Sequence, residues 1–369
     1  MTGDATSRPI QILRLLGSRP AVPYREDDVR KAITDTLGRA DIEFDTDKYG
    51  NVVAHIRSGK EHRLSIAFVA HMDHPGFELS EAEATNARAR MLGRTPDVVF
   101  AGHFGLRIYQ AGSSEFIRGW TSGSKDPEEG DARGRLLDIE TEVPVSLPAW
   151  AVFDLEDFKM KDGVIHMRAC DDLTGCAAIL AMLERIRVTD VGVDVYGVFT
   201  RAEEEGLIGA RILAEERRLP EDTIVVSVES SRALPGGEHG KGPVIRVGDA
   251  AATFSAEAES TLLAARQRLS QRDPPVPVQR QLMSGGVCEA SAFIVRGYRA
   301  TGVAFPLGHY HNGLGEDTIN AEFVRVDDFL GGVELLVEAV HAAASAEEPP
   351  MYERLRMRPQ VEADRLLRS

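Results

Sequence analysis

Histidine and carboxylate side chains recur in this chain just past runs of apolar and β-branched residues. His71 and Asp73 follow an apolar run over residues 64–70, and Asp171 and Asp172 open a predicted helix. Glu203, Glu204 and Glu205 follow a predicted strand ending at Thr200, Glu229 follows one ending at Val228, and His309 and His311 follow one ending near Phe305. Open α/β sheets place their ligand sites at the carboxyl ends of strands, so one such placement means little and several in one chain mean more. Imidazole nitrogen and carboxylate oxygen without thiolate suit a borderline cation such as zinc. Two histidines and three carboxylates can hold two ions roughly 3.5–4 Å apart with one carboxylate shared between them. Such a pair activates water and polarises a carbonyl, and a further carboxylate must then carry the proton to the leaving amine. Glu203 beside Glu204 can supply a base and a ligand from one loop.

Each residue also has a plainer reading. His71 taken singly is a satisfied histidine at a strand end. Asp171 suits a helix N-cap, with Asp172 in the first turn. Three consecutive glutamates usually form a solvated charge run. Cys170 and Cys176 read as small packing residues. His103, His166 and His239 have no supporting context and read as surface or structural groups. Cys288, in a Gly-rich turn, is a candidate pocket-lining residue.

The elements that must position these groups are legible in the hydrophobic pattern. Residues 27–37 predict an amphipathic helix with Val29, Ala32, Ile33 and Leu37 on one side, and residues 42–56 predict a hairpin turning near Tyr49-Gly50-Asn51. The run 64–70 has the composition of a strand buried on both faces. Helices are expected over 174–186, 206–216, 260–271 and 326–344, and strands over 193–200, 224–228 and 300–305. From about residue 76 to 162 the texture changes to short Gly, aromatic and β-branched runs, broken by the polar stretch 119–134, which predicts a small β-rich insert. The expected architecture is α/β, a three-layer catalytic domain with a mixed central sheet covered by helices. It is assembled from residues 1–75 and 163–347, with the insert at 76–162 and a charged tail at 348–369 that is expected to lack stable order.

Composition narrows the function classes. The 369 residues carry a net charge of −15, and no basic stripe is present, which argues against a nucleic-acid partner. Three cysteines, an odd number without close spacing, suit a reducing compartment better than a disulfide framework. The polar residues Thr2, Asp4, Thr6 and Ser7 predict no secretory leader, and no apolar run is long enough for a membrane span. The expected location is the cytoplasm.

Taken together, the residues resemble the co-catalytic zinc aminopeptidases of the glutamyl-aminopeptidase and tetrahedral-aminopeptidase type. The carrying segments are Ala70-His71-Met72-Asp73 with Gly76-Phe77, Cys170-Asp171-Asp172 with Gly175-Cys176, and Glu203-Glu204-Glu205-Gly206-Leu207 with Gly209-Ala210. Gly240-Lys241-Gly242-Pro243 and Pro306 with His311 five residues on complete the set, in order from about residue 10 to about 345. The resemblance implies His71 as a terminal ligand, Asp73 as the carboxylate that orients it, Asp171 as the bridging ligand and Glu203 as the general base. It implies Glu204, Glu229 and His311 as the remaining ligands, with Glu229 where the family usually has Asp. The Pro306 spacing favours His311 over His309. The implied cofactors are two divalent ions, zinc first, with cobalt and manganese compatible. The implied substrate is a short peptide or related amide, and the β-rich insert is implied to mediate homo-oligomers, dimers or larger.

The chain departs from the family pattern at His74, where an acidic residue is common, at Gly308-His309-Tyr310-His311-Asn312 and at Gly285-Gly286-Val287-Cys288-Glu289. These departures fall beside the implied ligands and leave substrate preference open. The alternatives are a related dinuclear deacylase or carboxypeptidase-like amidohydrolase, and a non-catalytic binding descendant.

Overall fold

The apolar run that ends at His71 forms a strand, Ser65–His71, in which every residue is buried. In the computed structural model, which describes residues 7–58, 64–113, 115–125, 136–189, 191–346, 349–357 and 359–368, this strand sits at the centre of an eight-stranded sheet. Asp194–Thr200 and Ile224–Arg232 flank it in parallel, and Arg299–Leu307 runs parallel to the latter. The hairpin Glu43–Thr46 and Val52–Ile56 extends one edge antiparallel, while Val244–Arg246, antiparallel, and Gln279–Gln281 finish the other. Of the sequence features read above, Thr2, Asp4, Thr6, the part of the polar stretch from 126 on and residues 347 and 348 lie outside the described residues.

Successive side chains of a strand point to opposite faces. Ile66, Phe68 and Ala70 therefore enter one apolar cluster, shared with helices Arg8–Gly17, Asp27–Arg39, Leu173–Ile186, Ala256–Ser270 and Val326–Ser345. Ala67 and Val69 enter a second, shared with Ile208–Glu215 and Glu289–Ile294. The fold is thus a three-layer α/β arrangement with a mixed central sheet. Leu173–Ile186 is apolar nearly all round and correspondingly buried nearly all round, the signature of a core helix.

Several element ends differ from expectation for local reasons. Ile224–Arg232 continues four residues past Val228, so Glu229 lies inside a strand, opposite Ala304, rather than in the loop after it. The helix expected over 206–216 begins only at Ile208, because Glu203 to Leu207 forms a turn in which Gly206 and Leu207 take φ +109° and +59°. The helix expected from 260 begins at Ala256, where the Ser255 side chain caps it by accepting from the Ala258 N–H. Helices Arg8–Gly17 and Glu289–Ile294 had no clear sequence signal. The tail, expected to lack order, forms the short helices Pro350–Arg356 and Gln360–Leu366.

Between the sheet strand ending at His71 and the helix beginning at Leu173 the chain closes a six-stranded antiparallel barrel. Its order is Gly76–Glu83, Asn86–Leu92, Leu136–Thr141, Phe116–Lys125, Gly105–Gln110 and Ala149–Phe153. Phe77, Leu79, Leu106, Ile108, Ile139 and Phe153 fill it, with Phe77 and Phe153 edge to face at 5.4 Å. Closure leaves no free edge. Lys159–Lys161 accordingly pairs with Val164–Met167, and that strand pairs with Glu322–Arg325. No helix among the described residues is long and apolar enough to cross a membrane.

Candidate metal centre

The parallel strands all deliver their carboxyl ends to one edge of the sheet, and six of the residues singled out above meet there. His71 closes its strand, Glu229 sits in the neighbouring one, and His311 follows Arg299–Leu307. Asp171 lies just before Leu173–Ile186, and Glu203 and Glu204 occupy the turn after Asp194–Thr200. Nε2 of His71 lies 3.5 Å from Oδ1 of Asp171, and Nε2 of His311 lies 4.0 Å from its other oxygen, Oδ2. His71 Nε2 is also 3.9 Å from Glu229 Oε2 and 3.9 Å from Glu203 Oε2, while His311 Nε2 is 3.7 Å from Glu204 Oε1. The triads His71, Asp171, Glu229 and Asp171, Glu204, His311 each present one ligand atom per residue within 4.8 Å of one another, and so do His71, Glu203 and Glu204.

The donor set fits divalent cations. The buried oxygens Asp171 Oδ1 and Glu204 Oε1 have no hydrogen-bond partner, an expensive condition for carboxylate oxygens away from water. Burial, then Glu203 and Asp171, push the Glu204 carboxyl well above its usual range. Burial also pushes Glu203 well up, with Glu229 and Asp73 adding to it and His71 opposing, and burial carries Glu229 to about 7. Burial alone would lower His71, yet Glu203, Asp171, Asp73 and Glu229 hold it well above its usual value. His311, with fewer carboxylates facing it, is lowered by burial to about 4. Carboxylates outnumber imidazoles in a buried space, and a divalent cation at each triad supplies the missing positive charge.

Asp73 meets His71 in a way the sequence did not indicate. The Nδ1 of His71 lies 2.9 Å from the Asp73 backbone carbonyl and 3.7 Å from Oδ1 of its carboxylate. The carboxylate instead accepts the backbone N–H groups of Glu203 and Glu204 at 3.0 and 3.1 Å. Asp73 thus holds the turn that presents both glutamates. Gly209 lets the following helix approach that turn: a Cβ there would stand 2.6 Å from the Arg201 nitrogen. Glu205 faces away and accepts from the Gly93 N–H of the barrel at 2.9 Å. The helix cap belongs to Asp172, whose side chain accepts from the Gly175 N–H, and not to Asp171.

Two buried carboxylates near the cluster were not among the implied site residues. Glu322 accepts from the backbone N–H groups of Cys170, Asp171 and His311. Glu289 accepts from the Thr200 hydroxyl at the end of a central strand, and burial pushes its carboxyl to about 8. Neither follows an apolar run, the signal that marked the others. His74 is buried, with Nδ1 against the Pro75 carbonyl and Nε2 accepting from the Ala21 N–H, and burial lowers it to about 3. It is a neutral structural residue. His309 does not join the cluster: its Nδ1 contacts the Ala321 carbonyl and its ring lies edge-on to Phe323 at 5.0 Å. Cys170, Cys176 and Cys288 are free and buried.

A cavity of about 1410 Å³ opens over the cluster. Its acidic lining consists of Asp171, Glu203, Glu204 and Glu229, and its remaining charged lining is cationic: Arg94, Arg211, Arg232 and Arg246. Cys288 lines it as well. Arg246 is buried; it donates to Ser231 Oγ at 3.2 Å and to the Met283 carbonyl at 3.4 Å, while its Nε has no partner.

The chain resembles known proteins in sequence and in fold. The chain is 26% identical over 205 residues to SgcX of Escherichia coli (strain K12), whose designation as an aminopeptidase is provisional. That match takes in 48% of this chain and 51% of SgcX, so the chain spans about half the length of this curated relative. Among solved structures it superposes on aminopeptidase APDkam598 from the archaeon Desulfurococcus kamchatkensis with a TM-score of 0.75 and 22% identity, covering 95% of this chain and 98% of that one. The TET1 peptidase of Pyrococcus horikoshii gives 0.74 and 21%, covering 90% and 99%. At these identities the two structures attest the fold. Residues 139–329, more than half of the chain, match the family model of the M42 glutamyl aminopeptidases. That stretch carries Asp171, Glu203, Glu204, Glu229 and His311, and through it the chain belongs to the M42 glutamyl aminopeptidase family.

Proposed function

We propose that this protein is an aminopeptidase that removes N-terminal residues from short peptides with the help of two divalent ions, zinc first among the candidates. His71, Asp171 and Glu229 would hold one ion, and Asp171, Glu204 and His311 the other. The observation that carries the reading is that the two oxygens of Asp171 face two histidines delivered by different strands, at 3.5 and 4.0 Å. When bound, such ions supply the positive field that acidifies water and polarises a carbonyl.

The chain's own residues supply the rest. Glu203, held by the Asp73 carboxylate through its own N–H, accepts the proton of the attacking water. It then returns that proton to the departing nitrogen as the carbonyl carbon gains oxygen and the C–N bond breaks. The cationic lining favours a peptide whose N-terminal side chain is acidic, with the buried Arg246 as its partner.

Residues 1–75 and 163–347 form the catalytic domain in this reading, and 76–162 an inserted domain for assembly. Phe116, Val143 and Leu147 lie exposed on and beside the barrel, a surface suited to a second copy of the chain. The TET1 peptidase of Pyrococcus horikoshii can assemble into a tetrahedron or a large octahedral shell. Free, buried cysteines are consistent with a cytoplasmic location.

The test is hydrolysis of N-terminal glutamyl and leucyl amides against N-acyl amino acids by the zinc-loaded protein, together with Glu203→Gln. Release of free N-terminal residues is expected, with turnover lowered about 10²–10⁴-fold in the variant and its zinc content unchanged. Preference for N-acyl amino acids would point to a deacylase. Loss of zinc along with turnover would make Glu203 a ligand.

A further inference from the structure

We infer that Glu322 is a positioning residue whose buried carboxylate clamps the loop of Asp171 to the loop of His311 and thereby sets one of the two cation positions. The inference rests on the metal reading above. The two loops enter from unrelated parts of the fold, one before the core helix Leu173–Ile186 and one after the sheet strand Arg299–Leu307. Oε2 of Glu322 accepts from the Cys170 and Asp171 N–H groups at 2.8 and 3.0 Å, and Oε1 accepts from the His311 N–H at 2.9 Å. One carboxylate therefore holds the backbone of two proposed ligands. The strand Glu322–Arg325 brings it there by pairing with Val164–Met167, where Met167 stands opposite Glu322.

The His311 loop needs such a hold. His309, His311 and Asn312 take φ of +53°, +52° and +65°, the left-handed region that non-glycine residues occupy at a cost. Backbone of this kind persists where its surroundings fix it. Besides Glu322, the Asn312 amide donates to the Arg168 carbonyl at 2.8 Å and to the Asn320 carbonyl at 3.2 Å. Both contacts fasten the loop to its neighbours. Glu322 is buried, and its two oxygens are the acceptors for the three N–H groups of Cys170, Asp171 and His311. A glutamine in its place must turn an NH₂ toward at least one of those N–H groups, because an amide has one acceptor atom.

The consequence is selective. Asp171 is shared by both triads, but His311 enters only the one with Glu204, so the clamp holds two ligands of that triad and one, Asp171, of the triad with His71 and Glu229. Full-length protein stripped with a chelator is titrated with Zn²⁺ against a competing indicator. Wild type should take up two ions per chain. Glu322→Gln should leave one binding step within about threefold of wild type and weaken the other by about 10–100-fold. Asp328→Asn is the control, since Asp328 is a buried carboxylate that accepts two backbone N–H groups, of Gly240 and Gly242, away from the cluster. It should lower the melting temperature without splitting the two steps. Should Glu322→Gln fail to fold, Glu322→Asp, which keeps the charge and loses the reach, should show the same selective loss. Two unchanged steps, two equally weakened steps, or an identical split in Asp328→Asn would overturn the clamp while leaving the metal centre standing. A wild-type chain that takes up no zinc would overturn both.

Discussion

Replacing Glu229 by glutamine should stabilise the metal-stripped protein and destabilise the zinc-loaded one. Glu229 is buried, and burial raises its carboxyl from 4.5 to about 7, with Asp171 adding to the rise and His71 opposing it. A carboxyl whose folded-state pKa exceeds its unfolded-state value opposes folding wherever it is ionised in both states. The penalty is complete above about pH 7, shrinks as pH falls through the window from about 7 to 4.5, and is absent below it. At about 1.4 kcal/mol for each pH unit, that displacement costs about 3 kcal/mol. With an unfolding entropy of about 2 cal/mol/K per residue over 369 residues, it corresponds to about 4 °C in Tm. Scanning calorimetry in chelator at about pH 8 should find the glutamine variant melting about 4 °C above wild type, and the gap should close toward about pH 5. In saturating zinc the order should reverse, because the ion stabilises the folded state by an amount that grows with the logarithm of its affinity and the variant has lost a ligand oxygen. A variant that melts below wild type in chelator at the higher pH, or a gap of equal size at both pH values, would refute the idea that Glu229 is a buried charge awaiting a cation.

Exchanging Arg246 for methionine should lower kcat/KM toward N-terminal glutamyl peptides by about 10–150-fold, the worth of a hydrogen bond to a charged partner. The leucyl substrates should change by less than about threefold, and an equal loss on both would make Arg246 a structural residue. On the barrel, Phe116, which is 42% exposed, is the place to break assembly. Phe116→Glu should reduce the particle mass measured by light scattering at about 10 μM without altering the melting temperature of the chain by more than about 1 °C; an unchanged mass would move the interface elsewhere, and a monomeric wild type would remove it.

The α/β class and the ends of the central strands were legible in the chain because burial on both faces forces continuous apolar runs, and a run that stops at a polar residue marks where the strand leaves the core. Ser65–His71 and Asp194–Thr200 were readable in that way, and so were the groups they deliver, His71 and the Glu203-Glu204 turn. The barrel announced itself by a change of texture, and its closure explains why Lys159–Lys161 joined other strands. What pattern alone left open is the relation between residues far apart in sequence. Glu229 reads as a loop residue until the pairing with Ala304 extends its strand. Asp73 reads as the partner of an imidazole, and only the fold adds that its carboxylate also accepts the N–H groups of Glu203 and Glu204. Glu322 and Glu289 carry no local mark, since a carboxylate becomes a clamp through the donors that surround it, and those donors come from other strands. Periodicity and composition record how each segment meets the core. Which buried charges face one another is set by the packing of whole elements, and that is a long-range property no short window of the chain contains.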